Sequence, residues 1–189
     1  MASLSFPKVH KRHEMGNKIS EQAQTEIQRI INDLTIGGSP DKKKDIERIR
    51  AVCAEGRMNK IKTANADLFV ESSVGKIYLF DLKTVKPNKG DSKSFKRTLL
   101  EWVAIFLLND PDADVCSYIA IPYNPYEPKP YERWTLKGML DLDNELMVAE
   151  EFWDFLAGKG AYSELLDCFE RAGIELRPEI DAYFSRFRR

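Results

Sequence analysis

The chain has 189 residues, 43% apolar, 31% charged and 11% aromatic, with a formal net charge of −1. Twenty aromatic residues are enough for a sizeable core, so the composition excludes a mainly disordered chain and suits one soluble domain. The longest apolar run, Trp102–Leu108, is far short of a membrane span, the first residues lack a secretory pattern, and Cys53, Cys116 and Cys168 are too scattered for a disulfide framework or zinc cluster; a reduced, cytoplasmic protein is expected.

Residues 1–16 read as an irregular arm holding His10-Lys11-Arg12-His13, whose two histidines have no third metal-ligand candidate nearby. Ile19, Ala23, Ile27, Ile30, Ile31 and Leu34 recur at helical spacing, closed by Gly37-Gly38. Ser39-Pro40-Asp41 then reads as N-cap, first helical residue and first-turn acid of a second helix, with Ile46, Ile49, Val52 and Cys53 as its stripe. Residues 67–72 and 76–82 are aromatic and β-branched segments separated by Ser73-Val74-Gly75, a predicted hairpin. A helix follows near 92–108, striped by Phe95, Leu99, Trp102, Val103 and Phe106, and then a strand at 115–121. Strand, helix, strand at this spacing predicts a parallel crossover. Three more helices are expected near 144–157, 161–172 and 178–187. The fold class is α/β with a central mixed sheet: one domain over 1–189, with the arm, a core at 17–122, and a loop plus helical region at 123–189.

Four acid-x-Lys pairs occur, Asp41-x-Lys43, Asp81-x-Lys83, Asp91-x-Lys93 and Glu127-x-Lys129, and only Asp81 and Lys83 end an apolar strand. Residues i and i+2 of a strand share a face, so carboxylate and ammonium project together. Asp67 opens the other arm of the hairpin and can be brought close across the ladder. Two carboxylates aimed at one point repel unless a cation lies between them, and a hard divalent ion with oxygen ligands such as Mg²⁺ suits that place. Metal plus lysine is a sufficient apparatus for phosphodiester hydrolysis. The alternative is a surface ion pair that contributes little.

Charge is unevenly spread: residues 1–100 carry 20 Lys and Arg against 12 Asp and Glu, and residues 101–189 carry 9 against 18. The densest basic stretch directly follows the Asp81–Lys83 strand and can present a positive face to a polyanion, with Lys86, Lys89, Lys93, Lys96 and Arg97 as candidate phosphate contacts. The proline-stiffened loop 123–134 holds Asn124, Lys129 and Arg133, side chains able to read base edges. A packed surface loop with half-buried aromatics is the other reading.

Helix, hairpin with Asp67 and Asp81-Leu82-Lys83, helix and strand together resemble the PD-(D/E)xK nuclease superfamily, with Ala66 where its motif has proline. Asp81-Leu82-Lys83-Thr84-Val85-Lys86-Pro87-Asn88-Lys89, Leu99-Leu100-Glu101-Trp102, Tyr123-Asn124-Pro125-Tyr126 and Glu151-Phe152-Trp153-Asp154-Phe155-Leu156 resemble the TdeIII family of type II restriction endonucleases, for which the chain is short. That resemblance implies a restriction-endonuclease-like fold, Mg²⁺-dependent cleavage of double-stranded DNA at a short palindrome such as GGNCC, and a homodimer. It assigns Asp67, Asp81 and Lys83 to catalysis, Asp67 and Asp81 to the metal, and a third acid to the first core helix, where Glu21 is the first candidate, ahead of Glu26 and Glu47; Glu101 is a further candidate one helix downstream of Lys83. A structure-specific or repair nuclease on the same core, and a non-catalytic DNA-binding module, are the competing expectations. Phe152, Trp153, Phe155, Leu156, Leu165, Leu166 and Phe169 offer more apolar surface than one small sheet needs, suiting a dimer contact or an outer shell.

Overall fold

A computed structural model describes residues 2–84, 89–132 and 136–187. Five strands form one sheet in the order β1 (Lys8–Ser20), β2 (Met58–Glu71), β3 (Ile77–Leu82), β4 (Val115–Ile121), β5 (Leu146–Val148). The β1–β2 and β2–β3 pairs are antiparallel, and the β3–β4 and β4–β5 pairs are parallel. Side chains alternate across it. On one face Phe69, Leu79 and Ile119 join α2 (Glu21–Thr35), α3 (Lys42–Arg50) and α4 (Ser92–Asn109) in the larger core. On the other, Leu68, Phe80 and Ala120 meet Phe152 and Leu156 of α5 (Glu150–Ala157), with α1 (Ala2–Ser5) alongside and α6 (Ala161–Ser185) following. The expected mixed sheet flanked by helices is therefore present. Among the described residues no helix is long and apolar enough to cross a membrane.

Local chemistry explains some of the element ends. The Ser20 hydroxyl accepts from Ala23 N–H at 3.0 Å and starts α2. The β2–β3 hairpin turns through Gly75 at φ +80°, with Ser72 C=O accepting from Gly75 N–H.

Four expectations need correction. Residues 8–16 are not irregular: they belong to β1, an edge strand whose mostly polar sequence hid it, and Ile19 is buried at that strand's end rather than in the helix. Asp41, not Ser39, caps α3, its carboxylate accepting from Lys44 N–H at 3.0 Å. Residues 146–148 pair with β4, so the helix expected from 144 starts at Glu150. The two terminal helices are one, since α6 runs through Gly173 and Pro178 without a break.

Candidate active site

The hairpin delivers the first two candidates. Leu68 pairs with Phe80, so Asp67 and Asp81 face each other one step toward the open end of the ladder. Asp67 Oδ2 accepts the Leu82 N–H at 2.9 Å, which fixes that carboxylate against the neighbouring strand. Asp81 Oδ1 lies 2.8 Å from Lys83 Nζ. The Lys83 N–H donates to Ala120 C=O at 2.9 Å, so its backbone is held by β4, while its ammonium stands 5.1 Å over the Phe95 ring of α4. Asp67, Asp81 and Lys83 thus meet at one end of the sheet.

Asp81 is buried and its environment is tense. Burial pushes its carboxyl above the ordinary value, Lys83 pulls it back, and the facing Asp67 pushes it up again. A cation between the two carboxylates would relieve that repulsion. The donor set is hard oxygen only. Mg²⁺ is usually held by one or two carboxylates, with waters and substrate phosphate oxygens completing its shell. Asp67 and Asp81 are residues that could hold such an ion; among the described residues no cluster of three His, Cys, Asp or Glu is formed.

Glu21 does not join them. It opens α2 where its N–H donates to Arg57 C=O, beside the Met58 end of β2, nine residues and ~30 Å of strand from Asp67. The long β1–β2 ribbon is what separates them. Glu101 is half-buried on α4, its carboxyl raised by burial and drawn back by Arg97. Glu26 is taken up by Arg29 and Arg48, and Glu47 by Arg50.

The basic candidates divide. Lys93 is exposed, and Arg97 is half-exposed with its guanidinium on Gln28 Oε1. Lys96 is not a phosphate contact: it is fully buried, with Nζ 2.9 and 2.8 Å from the Glu145 oxygens and 2.8 Å from Asp45 Oδ2. It sits one turn before Leu99 on the apolar stripe of α4, so the helix turns it inward. Lys86 and Arg133 lie outside the described residues, and Lys89 is described only as backbone of a 3₁₀ turn at Lys89–Asp91. The loop after β4 does leave the sheet at the Lys83 end, because β3 and β4 are parallel. Trp153 Nε1 donates to Pro122 C=O at 2.7 Å and anchors it. Asn124 fastens the loop to itself, donating to Lys129 C=O and accepting from Tyr126 N–H.

Two features escaped the sequence. The β1 register, with Lys11 on Leu68 and His13 on Ala66, puts Arg12 beside Asp67. Lys11, Arg12, Asp67, Leu82, Trp153 and Leu156 line part of a cavity of about 660 Å³ at that end of the sheet. The other is a buried charge cluster. Glu145 receives Lys42 Nζ at 3.1 Å as well as Lys96, and accepts Asp141 N–H at 2.9 Å; Lys42 also donates to Ser117 Oγ at 2.7 Å. Both lysines fall on apolar stripes, Lys42 with Ile46 and Ile49, Lys96 with Leu99 and Val103, which is the signal that was available.

The chain is similar to the type II restriction enzyme MjaII of Methanocaldococcus jannaschii, 28% identical over 162 residues that cover 79% of this chain and 43% of that protein. It is 26% identical to HgiEI of Herpetosiphon aurantiacus over 85% of this chain and 60% of that enzyme, and 26% identical to HgiCII of the same organism over 71% and 49%. The chain thus spans about half the length of the curated relatives it matches. Residues 1–173 match the family described as type II restriction endonuclease, HinfI. The chain belongs to the HinfI family of type II restriction endonucleases.

Proposed function

We propose that the protein is a Mg²⁺-dependent type II restriction endonuclease that hydrolyses double-stranded DNA in the cytoplasm, as a homodimer, at a short palindrome. GGNCC is the first sequence to test. The observation that carries this reading is the meeting of Asp67, Asp81 and Lys83 at the loop-bearing end of the sheet.

Asp67 and Asp81 would hold the ion, which when bound supplies phosphate polarisation and a lowered pKa for water. Lys83 is kept by Asp81 and Phe95 where its ammonium can stabilise charge that develops on the phosphate. Lys93 and Arg97 lie after the active strand and suit phosphates flanking the scissile bond, a contact that positions without reading sequence. The loop 122–132 leaves β4, the strand next to the one that carries Asp81, and suits groove contact. A palindromic target matches a two-fold protein.

The test is digestion of a plasmid of known sequence by the purified chain with Mg²⁺. Discrete fragments whose ends share one palindrome support the reading. A smear or nicking at junctions and ends would assign the fold to a structure-specific or repair nuclease, and binding without cleavage would assign it to a non-catalytic module.

A further inference from the structure

The C-terminal helix α6 leaves the body after its first turns. Ala161 and Tyr162 are buried and Leu165 is half-buried, but every residue from Leu166 to Phe187 is exposed. Helices draw most of their stability from packing an apolar face, and an interior proline such as Pro178 costs ~3 kcal/mol more. A helix of this kind needs a cover.

Its sequence says what kind. Leu166, Phe169, Gly173, Leu176, Ile180 and Tyr183 follow one another at alternating steps of three and four residues, and Tyr162 and Phe187 extend the same register. That is a heptad a/d seam sustained for more than three heptads, the period that makes one helix wind on another. Pro178 falls on the side opposite the seam. Half of the seam lies beyond residue 173, where the family match ends.

We propose that α6 is a self-association helix, which pairs antiparallel with α6 of a second copy of this chain. This deepens the homodimer reading above by naming the surface. The flanking charges choose the direction. In an antiparallel pair with a two-fold axis near residues 174–175, Leu166 layers on Tyr183 of the partner subunit, Phe169 on the partner's Ile180, and Gly173 on the partner's Leu176. Small residues then meet large ones, and Glu170 faces Arg177 of the partner subunit twice. In a parallel pair the same flanks would set Leu165 on Glu170, Ala172 on Arg177 and Glu179 on Phe184, with no complementary charges. Within one helix Glu170 and Arg177 are seven residues apart; among the described residues Arg177 has an exposed contact to Asp181 at 3.8 Å.

The experiment is sedimentation equilibrium on the full chain, with and without DNA, beside four variants. The wild type is expected at twice 21.8 kDa. Leu176→Glu should give monomer. Glu170→Arg and Arg177→Glu should each weaken the dimer at least tenfold, and the double exchange should restore it, which no intrahelical effect would do. Melting and helicity of each variant confirm that the body is folded. A monomeric wild type, or a dimer that Leu176→Glu leaves intact, overturns the proposal; two damaging single exchanges without rescue overturn the antiparallel pairing. Plasmid cleavage is scored on the same samples: a rescued dimer that does not cut leaves the helix pairing standing and removes the nuclease reading, and a wild type that is monomeric and cuts does the reverse.

Discussion

Replacing Glu145 by Gln keeps size and shape while removing one charge from the interior. In the native protein two ammonium groups, Lys42 and Lys96, face two carboxylates, Asp45 and Glu145, and all four side chains are buried. The variant leaves two cations against Asp45 alone, and Asp45 Oδ2, though 2.8 Å from Lys96 Nζ, is poorly aligned for a hydrogen bond. Breaking a buried pair in this way costs ~3–5 kcal/mol. At ~2–4 °C per kcal/mol for a chain of this size, the melting temperature should fall by roughly 6–20 °C. Adding Lys42→Met to Glu145→Gln restores one cation to one anion and should recover much of the loss, a non-additivity that only coupled charges give. The pH dependence has a defined sign. Burial pushes the Lys42 ammonium below its ordinary value, Glu145 pulls it back and Lys96 pushes it down again, so removing Glu145 lowers it further. A lysine depressed in the folded state is least costly once neutral, so the deficit of the variant should shrink as pH rises toward the ordinary lysine value. For Glu145 itself, burial opposes the charge, but Lys42 and Lys96 outweigh it and hold the carboxyl below the usual glutamate range. Its stabilisation is therefore complete above the ordinary value and is lost as pH falls through the depressed one. Thermal melts of wild type, single and double variants between pH 4 and 10 are the assay. A Glu145→Gln protein that melts with the wild type at pH 7 would refute the charge balance.

Lys83→Ala should remain folded and bind DNA in Ca²⁺ nearly as before, while cleavage in Mg²⁺ drops at least ~10²-fold, as loss of one preorganised stabilising group typically does; near-normal cleavage would move the site elsewhere. Cleavage should require Mg²⁺ or Mn²⁺ and stop with EDTA, and full activity in EDTA would remove Asp67 and Asp81 as ligands. Lys93→Ala and Arg97→Ala should weaken binding equally on all sequences and lower the salt slope by about one ion each, and a change in the sites cut would show base reading instead. Lys96→Ala should behave differently from both, losing thermal stability because it leaves two buried carboxylates, Glu145 and Asp45, against Lys42 alone.

The legible parts of this protein were those whose signal is local. Asp81 and Lys83 stood out because an apolar strand ends on them, and the hairpin register did the rest for Asp67. β1 was missed because an edge strand is guarded by charges, and Lys8–Ser20 has only Met15, Ile19 and Ser20 buried. β5 is three residues long and exists through its pairing with β4, a contact no local pattern announces. Lys96 was misread because a basic stretch suggests solvent, whereas its partner Glu145 lies 49 residues away in sequence.

The misread lysine nevertheless bears on the site. Phe95 and Lys96 are consecutive in the first turns of α4, and helix geometry turns them to different neighbours. Phe95 lies under the Lys83 ammonium, and Lys96 is clamped to Glu145 ahead of β5 and to Asp45 of α3. Ser117 of β4 closes the same cluster by donating to Leu99 C=O, one turn further along α4. The start of α4 is thereby fixed to α3, to β4 and to the segment before β5 through charges that cannot separate cheaply in the interior. Fixing the backbone at 96 fixes it at 95, so the ring behind Lys83 is held by a cluster that never touches the site. The basic stretch thus serves two ends: Lys93 and Arg97 remain outside, available to a polyanion, and Lys96 anchors the helix that carries them.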